Sequence, residues 1–131
     1  MNNFDTLYVD PRGRTARNAF IGALIVLIAI AAFYYRMVPG RSGQWSLVTL
    51  IFPYAILHAR RLHDMGQTAW LVLAPVLLLI AAAWFRLYNA ESGLTQPALY
   101  LALAVAAGFS IWGLAGKGQD GANRYGAPAP A

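Results

Sequence analysis

Four long apolar runs separated by short polar stretches account for most of the chain. None of them alternates apolar and polar residues with the period of two that marks a half-buried strand. A helix needs roughly 20 mainly apolar residues to cross the bilayer core, whereas a membrane-barrel strand has about 10 residues in alternation. The pattern therefore predicts four transmembrane helices, at roughly 18–35, 44–59, 69–85 and 97–116.

Composition points to the same class of protein. Of the 131 residues, 59% are hydrophobic and only 11% are charged, compared with about 25% charged in soluble domains. Hydrocarbon accepts apolar side chains on every face of a helix, and the helix satisfies its own backbone. We expect an all-α membrane protein, a compact single-domain bundle of four transmembrane helices, with an irregular tail at 117–131.

The second apolar run is the least certain span because it is short and carries Ser46, Thr49 and His58. A 16-residue helix is roughly 24 Å long at about 1.5 Å per residue. It crosses the membrane only if Arg60 and Arg61 extend their stems towards the headgroups. A re-entrant segment is the alternative, and it would move the carboxyl end of the chain to the other side.

Two prolines and one glycine-rich stretch predict local breaks. Pro53 and Pro75 fall inside predicted spans and should free the carbonyls of Thr49 and Leu71 from helical hydrogen bonds. Such sites are either static kinks, which are common in membrane helices, or hinges of a transporter, and the sequence leaves both open. The Pro-Gly stretch at 39–43 predicts a tight turn.

The basic residues lie at the ends of the apolar runs, giving a net charge of +5 and a pI near 10.0. No basic face interleaved with aromatic residues is present, so nucleic-acid binding is not expected. Lys and Arg favour the cytoplasmic side of membrane proteins. The N-terminal arm, the second loop and the tail hold seven of them (Arg12, Arg14, Arg17, Arg60, Arg61, Lys117, Arg124), against Arg36, Arg41 and Arg86 in the other two loops.

This distribution predicts that both termini lie in the cytoplasm. We also expect the first apolar run to be retained as a helix and not removed as a signal peptide, because Tyr34 and Tyr35 extend it without a polar cleavage region.

A dense polar string between the second and third runs has the strongest local signal. If the helix continues to Asp64, Arg60 and Arg61 stand four and three residues before it, where opposite charges meet on one face. Gly66 then allows a left-handed turn that ends the helix. The simplest interpretation is a cap and turn with a solvated ion pair; the alternative is a site for an anionic headgroup, because arginine suits phosphate and His63 adds a pH response.

Two further polar clusters should share the membrane side of that string, one before the first helix and one after the last. Together the three clusters predict a cytoplasmic-face binding patch. Its candidate residues are Arg14, Arg17, Arg60, Arg61, His63, Asp64, Asn123, Arg124 and Tyr125.

The order of these clusters is specific. GR-x-x-R at 13–17, RRLHD-x-G at 60–66 and G-x-NRYG-x-P at 121–128 resemble the motifs of the bacterial membrane proteins of domain-of-unknown-function family 805. The resemblance covers nearly the whole chain. It implies a small protein of the bacterial inner membrane with four helices, and it brings no established activity.

The fourth run contains small residues at helical spacing, which favours close approach of another helix. The partner is either the first helix of the same chain, through Gly22 and Ala23, or a second copy in a homo-oligomer. The series consists of Ala98, Ala102, Ala106 and Ser110, with Ala104 and Gly108 offset from it.

No enzyme constellation is apparent. His58 and His63 are five residues apart and do not share a helical face as paired ligands would. There is no nucleophile elbow, and the chain has no cysteine, which removes thiolate chemistry. We expect no metal or cofactor and no enzymatic activity; a membrane enzyme using His63 and Asp64 on lipid phosphates is the least favoured reading.

The function expected from the sequence is therefore a binding or adaptor module whose polar patch engages membrane lipids with anionic headgroups or a partner protein. The alternative is a subunit of an oligomeric transporter or lipid flippase.

Overall fold

A computed structural model describes residues 8–128, and within that range the chain forms helices and no β-strand. We number the α-helices in chain order, with one 3-10 helix leading into α4. Their bounds are α1 Arg17–Met37, α2 Gly40–Thr49, α3 Ile51–Asp64, the 3-10 helix Ala69–Val72, α4 Leu73–Tyr88 and α5 Thr95–Ala115. The last three predicted tail residues, 129–131, lie outside the described residues.

Three of these elements are long and apolar enough to cross a membrane, as expected for a multi-pass membrane protein. They are α1, the 3-10 helix continued by α4, and α5, with mean hydropathies of 2.1, 2.1 and 1.9. Few of their side chains are buried inside the bundle, and large apolar groups such as Ile25 and Leu101 point outward. An apolar exterior of this kind is favourable in hydrocarbon.

The second predicted span is a tandem of two shorter helices, α2 and α3, that meet at Leu50. The break precedes Pro53 because the proline ring clashes with the carbonyl four residues earlier, that of Thr49, and supplies no N–H to bond it. Pro53 therefore occupies the first turn of α3. Pro75 likewise lies in the first turn of α4, just after the 3-10 helix. Each proline therefore lies at the start of a helix and does not interrupt one.

The predicted tight turn at 39–43 is wrong, because α2 already begins at Gly40. Only Val38 and Pro39 connect α1 to α2. Gly43 makes this short connection feasible, since a Cβ at that position would collide with the Val38 carbonyl and approach the Tyr34 carbonyl. The missing side chain lets α2 fold back tightly against the end of α1.

Helices α3 and α5 run parallel, with side chains of α3 bonded to residues of α5 that lie 52 positions later. Tyr54 donates from its hydroxyl to the Ala106 carbonyl at 3.0 Å, and Arg61 Nε donates to the Gly113 carbonyl at 2.7 Å. Both helices therefore finish at the same end of the bundle.

The opposite end of the bundle holds the connections from α1 to α2 and from α4 to α5. There Arg41, near the start of α2, donates to the carbonyl of Leu87, near the end of α4, at 3.0 Å. The chain thus passes four times between two ends, and the beginning of α1 and the end of α5 share one of them. We call the end with the α1–α2 and α4–α5 connections the far end.

Contacts of the small residues on α5 differ from the sequence expectation. Ala102 and Ala106 are buried, but α3 supplies the contact at Ala106, and Gly22 of α1 has open space beside it. The close approach of α1 to α5 occurs nearer the C-terminal end of α5, where a Cβ on Gly113 would lie 2.9 Å from Phe20. Close contacts to α5 therefore come from α3 and α1 at these residues, and α4 packs along α5 more extensively than either.

Candidate functional site: a buried arginine clasp

Three arginines and one aspartate are buried where α1 begins and α3 and α5 end. Arg14 is 3% exposed, Arg60 5%, Arg61 1% and Asp64 5%. We call these four side chains, with the backbone of the N-terminal arm and C-terminal tail that they bind, the clasp. Buried charges are tolerated when they are paired and hydrogen-bonded, and the clasp meets both conditions.

Asp64 receives two guanidinium groups from different parts of the chain. Arg61 Nη1 donates to Oδ2 at 2.6 Å across one helical turn, as the spacing predicted, whereas Arg60, which the same argument paired with Asp64, binds the N-terminal arm instead. Arg14 Nε donates to Oδ1 at 3.0 Å from the N-terminal arm. The prediction that this ion pair is solvated is wrong, because the folded arm and tail cover it.

The C-terminal tail is fixed to the N-terminal arm through Arg14. Its Nη2 donates to the Gln119 carbonyl at 2.6 Å, and its Nη1 donates to the carbonyls of Gly121 and Gly126 at 2.7 and 3.2 Å. The backbone N–H of Gln119 also donates to the backbone carbonyl of Asp64 at 2.7 Å. One guanidinium therefore joins the arm, the end of α3 and the tail.

Arg60 binds the arm in the same way. Its Nε donates to Thr15 Oγ1 at 2.9 Å and its Nη2 to the Arg14 carbonyl at 2.9 Å, while Nη1 contacts the carbonyls of Asp10 and Arg12. Gly13 lies directly against this guanidinium with φ +88°. A side chain at Gly13 would meet both a strained backbone and the Arg60 head group, which explains the glycine of GR-x-x-R.

Two arginines cap the C-terminal end of α5. Arg61 donates to the carbonyls of Gly113 and Gly116 at 2.7 Å each. Arg17 Nη2 donates to the Gly116 carbonyl at 2.9 Å and to that of Ala115 at 3.3 Å. The last carbonyls of a helix have no partner within it and carry partial negative charge, so cations at this position stabilise the helix end.

His63 connects the clasp to the second half of the tail. Its Nδ1 lies 2.9 Å from the Gly13 carbonyl oxygen, so this nitrogen carries the proton, and its ring stacks on Tyr125 with centroids 3.9 Å apart. Asn123 Nδ2 donates to the His63 carbonyl at 3.0 Å. Burial lowers the pKa of His63 and the charge of Arg60 lowers it further, while the bond to Gly13 opposes them.

The charged groups of the clasp pair with groups of the same chain. Burial lowers the pKa of Arg60 and Arg61, an effect that Asp64 opposes at Arg61. Among residues 8–128, every buried side-chain nitrogen and oxygen has a hydrogen-bond partner. The donor forks that could have received a phosphate are thus occupied by carbonyls and by one carboxylate of the same chain.

The nine sequence-predicted site residues are brought to one end of the bundle, but they divide by exposure. Arg14, Arg60, Arg61, His63 and Asp64 are buried, Asn123 and Tyr125 are half-buried, and Arg17 and Arg124 are exposed. Arg124 lies over the Tyr125 ring, with its Cζ 5.5 Å from the centroid.

Two clasp residues were missed by the sequence reasoning. Thr15 is fully buried, and its position inside GR-x-x-R was the available signal. Gln119 contributes through its backbone and through an amide oxygen that accepts from Asn123 at 2.8 Å. No sequence pattern marks such a residue, because its neighbours come from distant parts of the chain.

A shallow depression of about 310 Å³ opens beside the clasp, between the start of α1 and the end of α5. Arg17 and Lys117 are exposed at its margin, and Arg61 and Asp64 line it from within. Three cations against one carboxylate leave it electropositive. Within residues 8–128, no three His, Asp or Glu side chains are grouped to hold a metal ion.

Comparison with known proteins identifies the family. A family model described as DUF805, a protein of unknown function, matches residues 8–127. The chain belongs to the DUF805 family. The resemblance carried by the three motifs is thereby confirmed, and the clasp assigns a structural role to the motif residues of this DUF805 chain. No curated protein and no solved structure matches it.

Proposed function

We propose that this DUF805 protein is a non-enzymatic, multi-pass protein of the bacterial inner membrane that binds anionic lipid headgroups at its cytoplasmic face. The observation that carries the proposal is the electropositive depression between Arg17 and Lys117. Binding is assigned to this margin, while the buried arginines build the surface that supports it.

Free donors at the margin support headgroup binding. Arg17 uses only Nη2 for its bonds to α5, which leaves its other nitrogens available. Lys117 is exposed and donates no hydrogen bond to any residue from 8 to 128. Basic pockets on the cytoplasmic side attract anionic lipids, with about 1 kcal/mol per Lys or Arg near the surface.

The expected level of the depression in the membrane also fits the binding of a lipid headgroup. Trp70 lies at the start of the third helical segment, at the same end of the bundle as the clasp, and is 76% exposed. Exposed tryptophans are typical of the membrane interface. The cations of the depression would then lie at the level of lipid phosphates, with the apolar surfaces of α1 and α5 facing the acyl chains.

Orientation is inferred from charge. The clasp end of the described chain holds Arg12, Arg14, Arg17, Arg60, Arg61, Lys117 and Arg124, which is seven of the ten Lys and Arg residues. The positive-inside tendency assigns this end to the cytoplasm, provided that the tandem α2–α3 crosses the bilayer. The 25 positions from Gly40 to Asp64 give a helical path of roughly 37 Å at 1.5 Å per residue, which is long enough.

The contacts of His63 and Asp64 support the non-enzymatic part of the proposal. Nδ1 of His63 faces a backbone carbonyl and its ring face covers Tyr125, while both oxygens of Asp64 accept from arginines. A general acid or base needs an atom within hydrogen-bond reach of a substrate. Because both oxygens of Asp64 are occupied, this carboxylate is not available to act with His63, which supports a role of the pair in holding the fold.

Lipid retention tests the proposal. The full chain is purified in native-lipid particles, and the bound lipids are measured by mass spectrometry for wild type and for Arg17→Gln/Lys117→Gln. The proportion of anionic lipid should fall about fivefold or more. The matched control is Arg12→Gln/Arg36→Gln, which removes two exposed cations that line neither the depression nor the far end of α2 and α4 and should leave that proportion unchanged.

Equal anionic lipid in the double variant and the wild type would overturn the proposal. If the double variant lost a co-purifying protein without any change in bound lipid, the depression would bind a protein partner and not a lipid. Equal loss in both double variants would show that only net charge matters and would also overturn it.

A further inference from the structure

A second polar cavity lies at the far end of the bundle, separated from the clasp by the length of the helices. It encloses about 380 Å³, within the about 300–1,000 Å³ that is typical of small-molecule sites. Its polar lining comes from three helices and one loop: Gln44 of α2, Arg86 of α4, Ser92 of the connection, and Thr95 and Gln96 of α5.

The side chains of the cavity that could bind a ligand are free to do so. Arg86, Gln44 and Gln96 make no side-chain hydrogen bond to any residue between 8 and 128, in contrast to the arginines of the clasp. Ser92 and Thr95 serve the loop, since Ser92 Oγ accepts from the Leu94 amide at 3.1 Å and Thr95 Oγ1 donates to the Asn89 carbonyl at 2.8 Å.

Hydrogen bonds within the α4–α5 connection hold one wall of the cavity in place. Beside the two hydroxyl contacts, the Thr95 amide donates to the Ser92 carbonyl at 3.2 Å. On the other side, Arg41 ties α2 to the end of α4 and lies over the Tyr88 ring at 5.4 Å. Gln44, one turn after Arg41, is thereby held facing the loop.

The charge and donors of the cavity define its ligand. Arg86 is the one charged side chain among the lining residues, and its planar fork suits an oxyanion. The amide groups of Gln44 and Gln96 add neutral donors from two other helices. A phosphate ester, which has two unesterified oxygens as a diester and three as a monoester, can accept hydrogen bonds from one guanidinium and from the flanking amides.

The aromatic residues around the cavity place it at the membrane–water interface. Trp84 and Tyr88 of α4 are exposed and in ring contact at 4.8 Å, and Trp45 of α2 meets Tyr88 at 6.3 Å. Aromatic belts of this kind occur at headgroup level. Both a lipid-borne phosphate and a soluble phosphate ester can reach such a depth.

We propose that the far-end cavity is a binding site for a phosphate ester group, with Arg86 as the anion-binding residue and Gln44 and Gln96 as flanking donors. The site is independent of the lipid contact proposed at the clasp. It lies on the opposite membrane face.

Binding measurements with two probes test the site and its ligand source. The full chain in detergent is titrated with phosphatidylglycerol and, separately, with glycerol phosphate, and the complexes are quantified by native mass spectrometry. Arg86→Gln should weaken binding of at least one probe about fivefold or more. Arg36→Gln, which removes an exposed cation at the same end but outside the cavity, should leave binding unchanged.

Further variants separate site geometry from folding and from the clasp. Gln44→Leu/Gln96→Leu keeps all charges and should also weaken binding, while Arg86→Lys should retain part of it. The variants are also compared in the Arg17→Gln/Lys117→Gln background, in which the cations of the clasp depression are absent, so that the remaining binding reports the far-end cavity. A fall confined to phosphatidylglycerol assigns a lipid ligand, and one confined to glycerol phosphate assigns a soluble ligand. Absence of binding by wild type, or equal loss in Arg86→Gln and Arg36→Gln, would overturn the proposal.

Discussion

Arg14 and Asp64 are 50 positions apart in the sequence, and in the folded chain Arg14 Nε donates a 3.0 Å hydrogen bond to Asp64 Oδ1. This contact joins the arm before the first helix to the end of the third. Because Arg61 pairs with the other oxygen of the same carboxylate, Asp64 is the anion on which the clasp depends.

Replacement of Asp64 by Asn should therefore destabilise the protein strongly. It leaves two buried guanidiniums without a counter-ion, and breaking a buried pair in this way costs about 3–5 kcal/mol. The thermal midpoint of the detergent-purified protein, followed by intrinsic fluorescence, measures the effect. Asp120→Asn is the control, because Asp120 is exposed and its side chain makes no hydrogen bond to residues 8–128, so its loss should leave the midpoint unchanged. Equal midpoints for the two variants would contradict the role of Asp64.

Helix α5 offers a matched pair of glycines. Gly113→Ala should destabilise by about 1–3 kcal/mol through overpacking, since its Cβ would lie 2.9 Å from Phe20 Cζ and 3.3 Å from Arg61 Cγ. Gly108→Ala has open space and should be neutral in the same thermal measurement. A neutral Gly113→Ala would show that α1 and α5 are less closely packed.

The tail should become accessible when its anchor is removed. Asn123→Ala deletes the bonds to the His63 carbonyl and to Gln119 and the acceptor for the Tyr125 amide. Of these three bonds, only the one to the His63 carbonyl joins the tail to α3. Local opening exposes the backbone to proteases, so trypsin should cleave after Arg124 roughly five- to tenfold faster, as expected for the loss of about one anchoring hydrogen bond. Asp120→Ala, an exposed position in the same tail, should leave the rate unchanged.

His63 should make stability depend on pH. Its pKa in the folded protein is below the ordinary value of 6.5 because of burial, so the unfolded chain binds this proton more readily. Stability is then complete above pH 6.5, falls as the pH drops through 6.5 towards the folded pKa, and levels off below it. Thermal midpoints between about pH 8 and 5 should show this fall in wild type and a smaller one in His63→Asn. Identical profiles would exclude His63 as the cause.

Topology can be tested cleanly because the chain has no cysteine. Single cysteines at Glu91, in the connection between α4 and α5, and at Ala127, in the tail, should respond differently to a membrane-impermeant maleimide in intact cells. Glu91→Cys should be labelled, and Ala127→Cys should be labelled only after lysis. Labelling of Ala127→Cys in intact cells would place the tail and the clasp outside and contradict the proposed orientation.

Local patterns in the sequence were sufficient for the three long helical segments and for one ion pair, but not for the division of the second predicted span at Leu50. Apolar runs predict helical spans because the bilayer requires a fixed length of apolar, self-bonded backbone. The spacing of Arg61 and Asp64 and the glycine at 66 were also read correctly, since both are effects within one helical turn: the pair forms at 2.6 Å and Gly66 has φ +79°. The tight turn at 39–43 failed because a glycine pattern fits a turn and a close helix contact equally well.

Burial of the arginines was decided by the tertiary structure alone. Whether Arg60 faces water, a lipid phosphate or the backbone of its own chain depends on where the N-terminal arm folds. No local sequence pattern encodes the contact between the arm and the end of α3. The sequence determined which charges gather at one end of the bundle, because the helices fix their ends. Only the folded arm and tail determined which of those charges remain free, because their carbonyls occupy Arg14, Arg60 and Arg61 and leave Arg17 and Lys117 at the surface.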